Sequence, residues 1–159
     1  MNSLWVGLSL QVTLDDVRAT LESWFPRCRV GEFDRLLDAP SGTAWPPIVI
    51  GLEANESEFP TRVDFALFPG PQDEAVIMPV MIELARRFSA AFGCRTICDG
   101  SGYGDSPSPY WSIVWDAGTA YLADDVETAF ADGEGGEVAI VRELRLPRVT
   151  LDTAGHLVA

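Results

Sequence analysis

The chain has 159 residues, 47% of them hydrophobic, and a formal net charge of −13 from 24 acids set against eleven basic residues, all of them arginine. At this length a single core buries roughly two-thirds of the unfolded surface, so one domain over 1–159 is expected. The charge argues against nucleic-acid and anionic-membrane partners and for a basic protein partner drawn in by the negative field, and no apolar run approaches the roughly 20 residues that span a bilayer.

Leu4, Val6, Leu8, Leu10 and Val12 alternate with Trp5, Gly7, Ser9 and Gln11, the period of a half-buried strand. A secretory leader is not expected here, because no basic residue precedes the stretch, Gln11 interrupts it and no small-residue cleavage site follows. Thr13 then reads as a helix cap with Asp16 three residues on, and Leu14, Val17, Leu21, Trp24 and Phe25 repeat at helical spacing until Pro26. Cys28 to Leu37 reads as the next strand, with an alternation that falters at Gly31.

Past Pro46 and Pro47, IVIGLEAN and TRVDFALFPG form an expected hairpin joined by the acidic loop NESEFP, with Val63, Phe65 and Leu67 on one face. A second helix is expected from Gln72 to Phe92, its stripe made by Val76, Val80, Leu84, Phe88 and Ala91. Pro79 either kinks it or marks a short first turn, with the main helix starting near Met78. Gly93 is its C-terminal cap, CRTIC the following strand, YWSIVW and TAYLAD a hairpin, and EVAIVRELRL a long last strand after the DGEGGE loop. This order is that of an α+β two-layer sandwich, a mainly antiparallel sheet with two helices on one face, and it admits a ferredoxin-like start.

The stretch DGSGYGDSPSP raises the question of a ligand loop. A phosphate loop needs backbone amides gathered at a helix N-terminus, usually with a cation, whereas this one runs between two strands and carries two carboxylates. Calcium is the better chemical alternative, with oxygens from Asp99, Ser101 and Asp105 and a glycine at Gly104. Tyr103 and Tyr110 then occupy ligand positions, and no flanking helix pair exists, so glycines and prolines that simply turn the chain are the favoured reading.

Catalytic patterns are sparse. The single histidine, His156, lies near an end expected to fray, and Cys28, Cys94 and Cys98 lack zinc-site spacing, so they are read as reduced thiols of a cytoplasmic protein. No catalytic residue, metal ligand or cofactor is assigned. The alternative class is a small enzyme or metal-dependent binding protein using residues 99–105, or a regulatory adaptor.

In the aromatic hairpin Trp111, Ile113 and Trp115 share one face and Tyr110, Ser112, Val114 and Asp116 the other. A two-residue turn at Ala117 and Gly118 pairs Val114 with Tyr121 and leaves Tyr110 and Tyr121 on the second face. A three-residue turn with a bulge at Gly118 moves Tyr121 beside the tryptophans, and alanine at the first turn position tilts the expectation toward the bulge. Acids cluster at Glu53, Glu56 and Glu58, and again at Asp124, Asp125, Glu127, Asp132, Glu134 and Glu137, while Arg142, Arg145 and Arg148 sit on the last strand.

A small acidic domain with the hairpin YWSIVWDAGTAYLADD and acid-rich loops resembles the bacterial polymorphic-toxin immunity proteins. Those proteins share no single signature, so the resemblance carries over no functional residue. It implies a protein that binds a cognate toxin with a basic face and neutralises it by occlusion. The partner-binding residues expected from this chain's own pattern are Tyr103, Asp105, Tyr110, Asp116, Tyr121, Asp124, Asp125 and Glu127.

Overall fold

The structure is a computed structural model that describes residues 4–70, 74–126 and 136–158. Strand β1 (Leu4–Leu8) is shorter than its alternation suggests. Beyond it the Thr61 hydroxyl donates to the Leu10 carbonyl at 3.0 Å and accepts the Val12 N–H at 3.3 Å, so side-chain bonds replace the ladder and Leu10 is exposed. Helix α1 (Leu14–Trp24) starts as expected, with the Thr13 hydroxyl accepting the Asp16 N–H at 3.1 Å. It buries Val17 and Leu21, with Phe25 just beyond.

The segment expected as one strand over Cys28 to Leu37 divides. Only β2 (Val30–Glu32) is extended, and Phe33–Leu37 is a short helix, α2. Asp34 lies in the first turn of α2, and Arg35 reaches Glu32 at 2.9 Å, an i,i+3 pair that a strand does not bring together. Strands β3 (Ile48–Ala54) and β4 (Thr61–Leu67) form the expected hairpin. A register shift between Val49 and Ile50 leaves Val63 and Phe65 buried but turns Leu67 out to solvent.

Helix α3 (Glu74–Phe92) runs unbroken past Pro79, and the expected first residues, 72 and 73, lie outside the described residues. Val80, Leu84 and Phe88 are buried along with Met81 and Ala85, whereas Ala91 is exposed. Gly93 ends the helix at φ +59°, a left-handed conformation that glycine adopts without steric penalty. Then come β5 (Thr96–Asp99), β6 (Trp111–Asp116), β7 (Thr119–Asp124) and β8 (Ala139–Leu144). The last strand stops at Leu144, so Arg145 and Arg148 are not on it. Most of the DGEGGE loop, with Asp132 and Glu134, lies outside the described residues.

Among the described residues eight strands form one sheet in the order β2-β3-β4-β1-β5-β6-β7-β8, antiparallel except for β2 with β3. The inner unit β1-α1-β3-β4-α3-β5, with sheet order β3-β4-β1-β5, is the ferredoxin-like arrangement, extended by β2 on one side and by the β6–β8 meander on the other. Helices α1 and α3 lie side by side on one face, where the rings of Trp24 and Phe88 are 5.0 Å apart, and the main core fills the space beneath them. A smaller cluster of Phe59, Ile97, Val114, Ala123 and Val138, with Trp5 against it, covers part of the other face. Burying each large apolar side chain contributes about 1.5–3 kcal/mol, so the helix-covered face dominates stability.

The chain's last described segment is docked rather than frayed. Strands β9 (Thr150–Leu151) and β10 (Leu157–Val158) pair, Leu151 joins the main core, and the Arg27 N–H donates to the Thr153 carbonyl at 3.2 Å. No helix among the described residues is long and apolar enough to cross a membrane.

Candidate functional site

The β6–β7 hairpin decides where the candidate residues stand. Ala117 and Gly118 take φ of +48° and +85°, and Asp116 pairs directly with Thr119, so the turn has two residues and the bulge favoured from sequence does not form. Adjacent positive φ values give a twist that matches the strands, and this outweighs the cost to alanine. Val114 consequently pairs with Tyr121, and Trp111 with Asp124.

This register separates the candidates. Tyr110 and Asp105 are exposed at the open end of the hairpin, at 41% and 92% of the residue and of its side chain respectively, and Asp124 lies next to them. Asp116 stands at the turn, five residues along the strand and therefore about 16 Å away. Tyr121 is half-buried midway, opposite Glu143 of β8. Tyr103 is turned inward against the main core, and burial, with the Cys98 sulfur beside it, pushes its phenol up from the ordinary value. Glu127 lies outside the described residues.

Asp125 is buried rather than presented to a partner. The Ser112 hydroxyl donates to its Oδ2, and its own N–H donates to the Tyr110 carbonyl at 3.0 Å. Burial pushes the carboxyl up, against the Ser112 hydrogen bond, and the neighbouring charges of Asp124 and Asp99 push the same way as burial. Ser112 is fully buried, so the pair closes the strand ends together and offers no nucleophile to a substrate.

Two of the three glycines of the 99–105 loop, Gly100 and Gly104, answer to packing. A Cβ on Gly100 would stand 2.8 Å from the Ser112 carbonyl carbon, and one on Gly104 2.0 Å from the Trp111 indole nitrogen. The two carboxylates face different partners: Asp99 accepts from the Ser101 N–H and hydroxyl, and Asp105 pairs with Arg142 at 3.3 Å. No cluster of metal-ligating side chains occurs among the described residues.

The acidic loop before β4 is partly engaged as well. Glu58 accepts the Val138 N–H at 2.8 Å and lies 3.7 Å from Arg95, while Glu53 stands opposite Arg62 in the register.

Sequence reasoning missed the outer edge of the sheet. Strand β8 pairs only with β7 among the described residues, and its Ile140 and Val141 are 51% and 50% exposed. Two adjacent β-branched residues in the last strand were the available signal, since alternation cannot hide both. Ile140 pairs with Ala123 and Ala139 with Asp124, so this edge is continuous with Tyr110 and Asp105.

Compared with protein-family models, curated proteins and solved structures, the chain matches none of them.

Proposed function

We propose that the chain is an immunity protein that binds a cognate bacterial toxin and neutralises it by occluding the toxin's functional surface. The observation that supports this reading is the continuity of an apolar strand edge at Ile140 and Val141, unpaired among the described residues, with the exposed Tyr110 and Asp105 and the half-buried Asp124. A free edge recruits a partner's backbone by strand addition, an exposed tyrosine supplies an anchor, and carboxylates steer a basic partner and speed its encounter.

The test is co-expression with the product of the adjacent gene. A stoichiometric complex and relief of that product's toxicity are expected, and Ile140→Lys with Tyr110→Ala should abolish rescue while leaving the melting temperature of the free chain unchanged. Rescue that survives both substitutions removes this edge from the interface. A neighbour that neither binds nor harms the host removes the immunity reading itself.

A further inference from the structure

A cleft of about 220 Å³ lies between the C-terminal half of α3 and the β6–β7 turn, lined by Arg86, Ser89, Ala90, Trp115, Gly118 and Arg148. Its charge runs against that of the chain. Buried Glu83 beneath it accepts two bonds from Arg86, Nε to Oε2 at 2.9 Å and Nη2 to Oε1 at 2.6 Å. Arg148, from the segment after β8, brings its Nε within 3.4 Å of Oε2, and Arg87 lies 3.5 Å from Oε1. One carboxylate is therefore shared by three guanidinium groups, a local excess of positive charge in a protein of net charge −13.

A guanidinium has five N–H donors in a planar fork, and the bonds to Glu83 use only part of that capacity. Trp115 forms another wall of the cleft. It is 7% exposed, and its indole Nε1 has no hydrogen-bond acceptor among the described residues. That nitrogen is itself closed off from solvent, so the indole contributes a wall to the cleft and not a donor.

We propose that this cleft binds a carboxylate group, the forks of Arg86 and Arg148 taking its oxygens and the Trp115 ring forming a wall beside it. The bidentate grip on Glu83 shows how a planar carboxylate fits these forks. At about 220 Å³ the cleft has room for a short acid. The carboxylate comes either from a small free acid or from an acidic side chain on a peptide. The proposal is independent of the toxin reading, because the cleft sits at the turn end of the β6–β7 hairpin and the proposed interface at the other.

The test is titration of the full chain at constant ionic strength with acetate, succinate, a blocked glutamate-containing tripeptide and inorganic phosphate, followed by tryptophan fluorescence and calorimetry. Saturable binding of a carboxylate probe is expected. Arg148→Gln should weaken it roughly ten- to a hundredfold, the range for a hydrogen bond to a charged group. Trp115→Phe should remove the fluorescence response, and Arg142→Gln, outside the cleft, should change neither. Arg148 is mostly exposed, so its substitution leaves the fold intact, as a melting curve would verify. Acetate or succinate binding identifies a free acid, and binding of the tripeptide alone identifies a peptide carboxylate. Saturation by phosphate with equal affinity, binding that survives Arg148→Gln, or no saturable binding by any probe overturns the assignment.

Discussion

The indole nitrogen of Trp111 occupies the space that a side chain on Gly104 would need: it lies 2.0 Å from an ideal Cβ there and donates to the Ser106 carbonyl at 2.8 Å. The loop is thus shaped around one tryptophan at the mouth of the β6–β7 hairpin. Gly104→Ala must push the indole away and break its hydrogen bond, and a loss of about 1–3 kcal/mol is expected from overpacking. Gly102→Ala, where nothing lies within 4 Å, is the control and should fall within about 0.5 kcal/mol of the parent. Urea denaturation of both variants checks this, and a Gly104→Ala protein as stable as the control would show that the loop does not close on Trp111.

Glu83 and Asp125 are both buried carboxylates, and they should respond to pH with opposite signs. Burial pushes Glu83 up, but the Arg86 hydrogen bonds and the charges of Arg86, Arg148 and Arg87 outweigh it and hold the carboxyl below the ordinary 4.5. Its contribution is therefore complete above pH 4.5 and is lost as the pH falls below that value. Asp125 is held above the ordinary 3.8, so it binds its proton more tightly when folded and costs stability as the pH rises past 3.8. At neutral pH Glu83→Gln should destabilise by about 3 kcal/mol, since it leaves clustered guanidinium groups without their counter-charge. Asp125→Asn should raise stability at neutral pH and remove the decline that sets in past pH 3.8. Unfolding free energies of the three proteins from acid to neutral pH decide the matter, and parallel curves would refute the assignment of both groups.

The ferredoxin-like unit was legible because its elements carry clean periods and caps: the Thr13 cap, the Val80, Leu84 and Phe88 stripe, and the β3–β4 pair all stand where the pattern puts them. What failed depended on contacts distant in sequence. Phe33–Leu37 is helical and leaves only Val30–Glu32 paired with β3, and the segment after Leu8 left its strand because Thr61 captured its backbone. The candidate surface was legible in part. Tyr110 and Asp105 are exposed as a surface site requires, but alternation alone could not show that Asp125 turns in to meet Ser112 or that Tyr103 faces the core. The arginines read as one strand cluster disperse, Arg142 to Asp105 and Arg148 to Glu83, a partner 65 residues away in sequence.

The three cysteines carry a chemical expectation. Cys28 and Cys98 are buried and Cys94 is half-buried, and all three are free thiols. Burial pushes each of them up, with Asp152 adding to it at Cys28 and Asp99 at Cys98, while hydrogen bonds from Ser9 and the charge of Arg95 oppose it at Cys94. Thiolate is the reactive form, so an aromatic disulfide reagent at neutral pH should label the native protein roughly a hundredfold more slowly than the unfolded chain. Cys94 should react first and Cys98 last. Rapid labelling of Cys98 in the native state would mean that β5 opens readily.

The docking of the β9–β10 hairpin makes the core's dependence on Leu151 testable. Leu151 is buried among residues that include Cys28 and the α3 stripe, the Cys28 thiol donates to the Ala154 carbonyl at 3.2 Å, and Gly155 packs near Phe68 and Pro69. The segment therefore closes the end of the core beneath α1 and should unfold with the domain instead of opening separately. Leu151→Ala leaves a cavity there and should cost about 2–4 kcal/mol, whereas the exposed Leu157→Ala should cost well under 1 kcal/mol. Hydrogen exchange gives the independent readout. The Arg27 and Asp152 amides, which donate to Thr153 and His156, should exchange at the global unfolding rate in the parent and markedly faster in Leu151→Ala. Fast exchange of these amides in the parent would show that the hairpin detaches from the folded domain and that Leu151 contributes little to it.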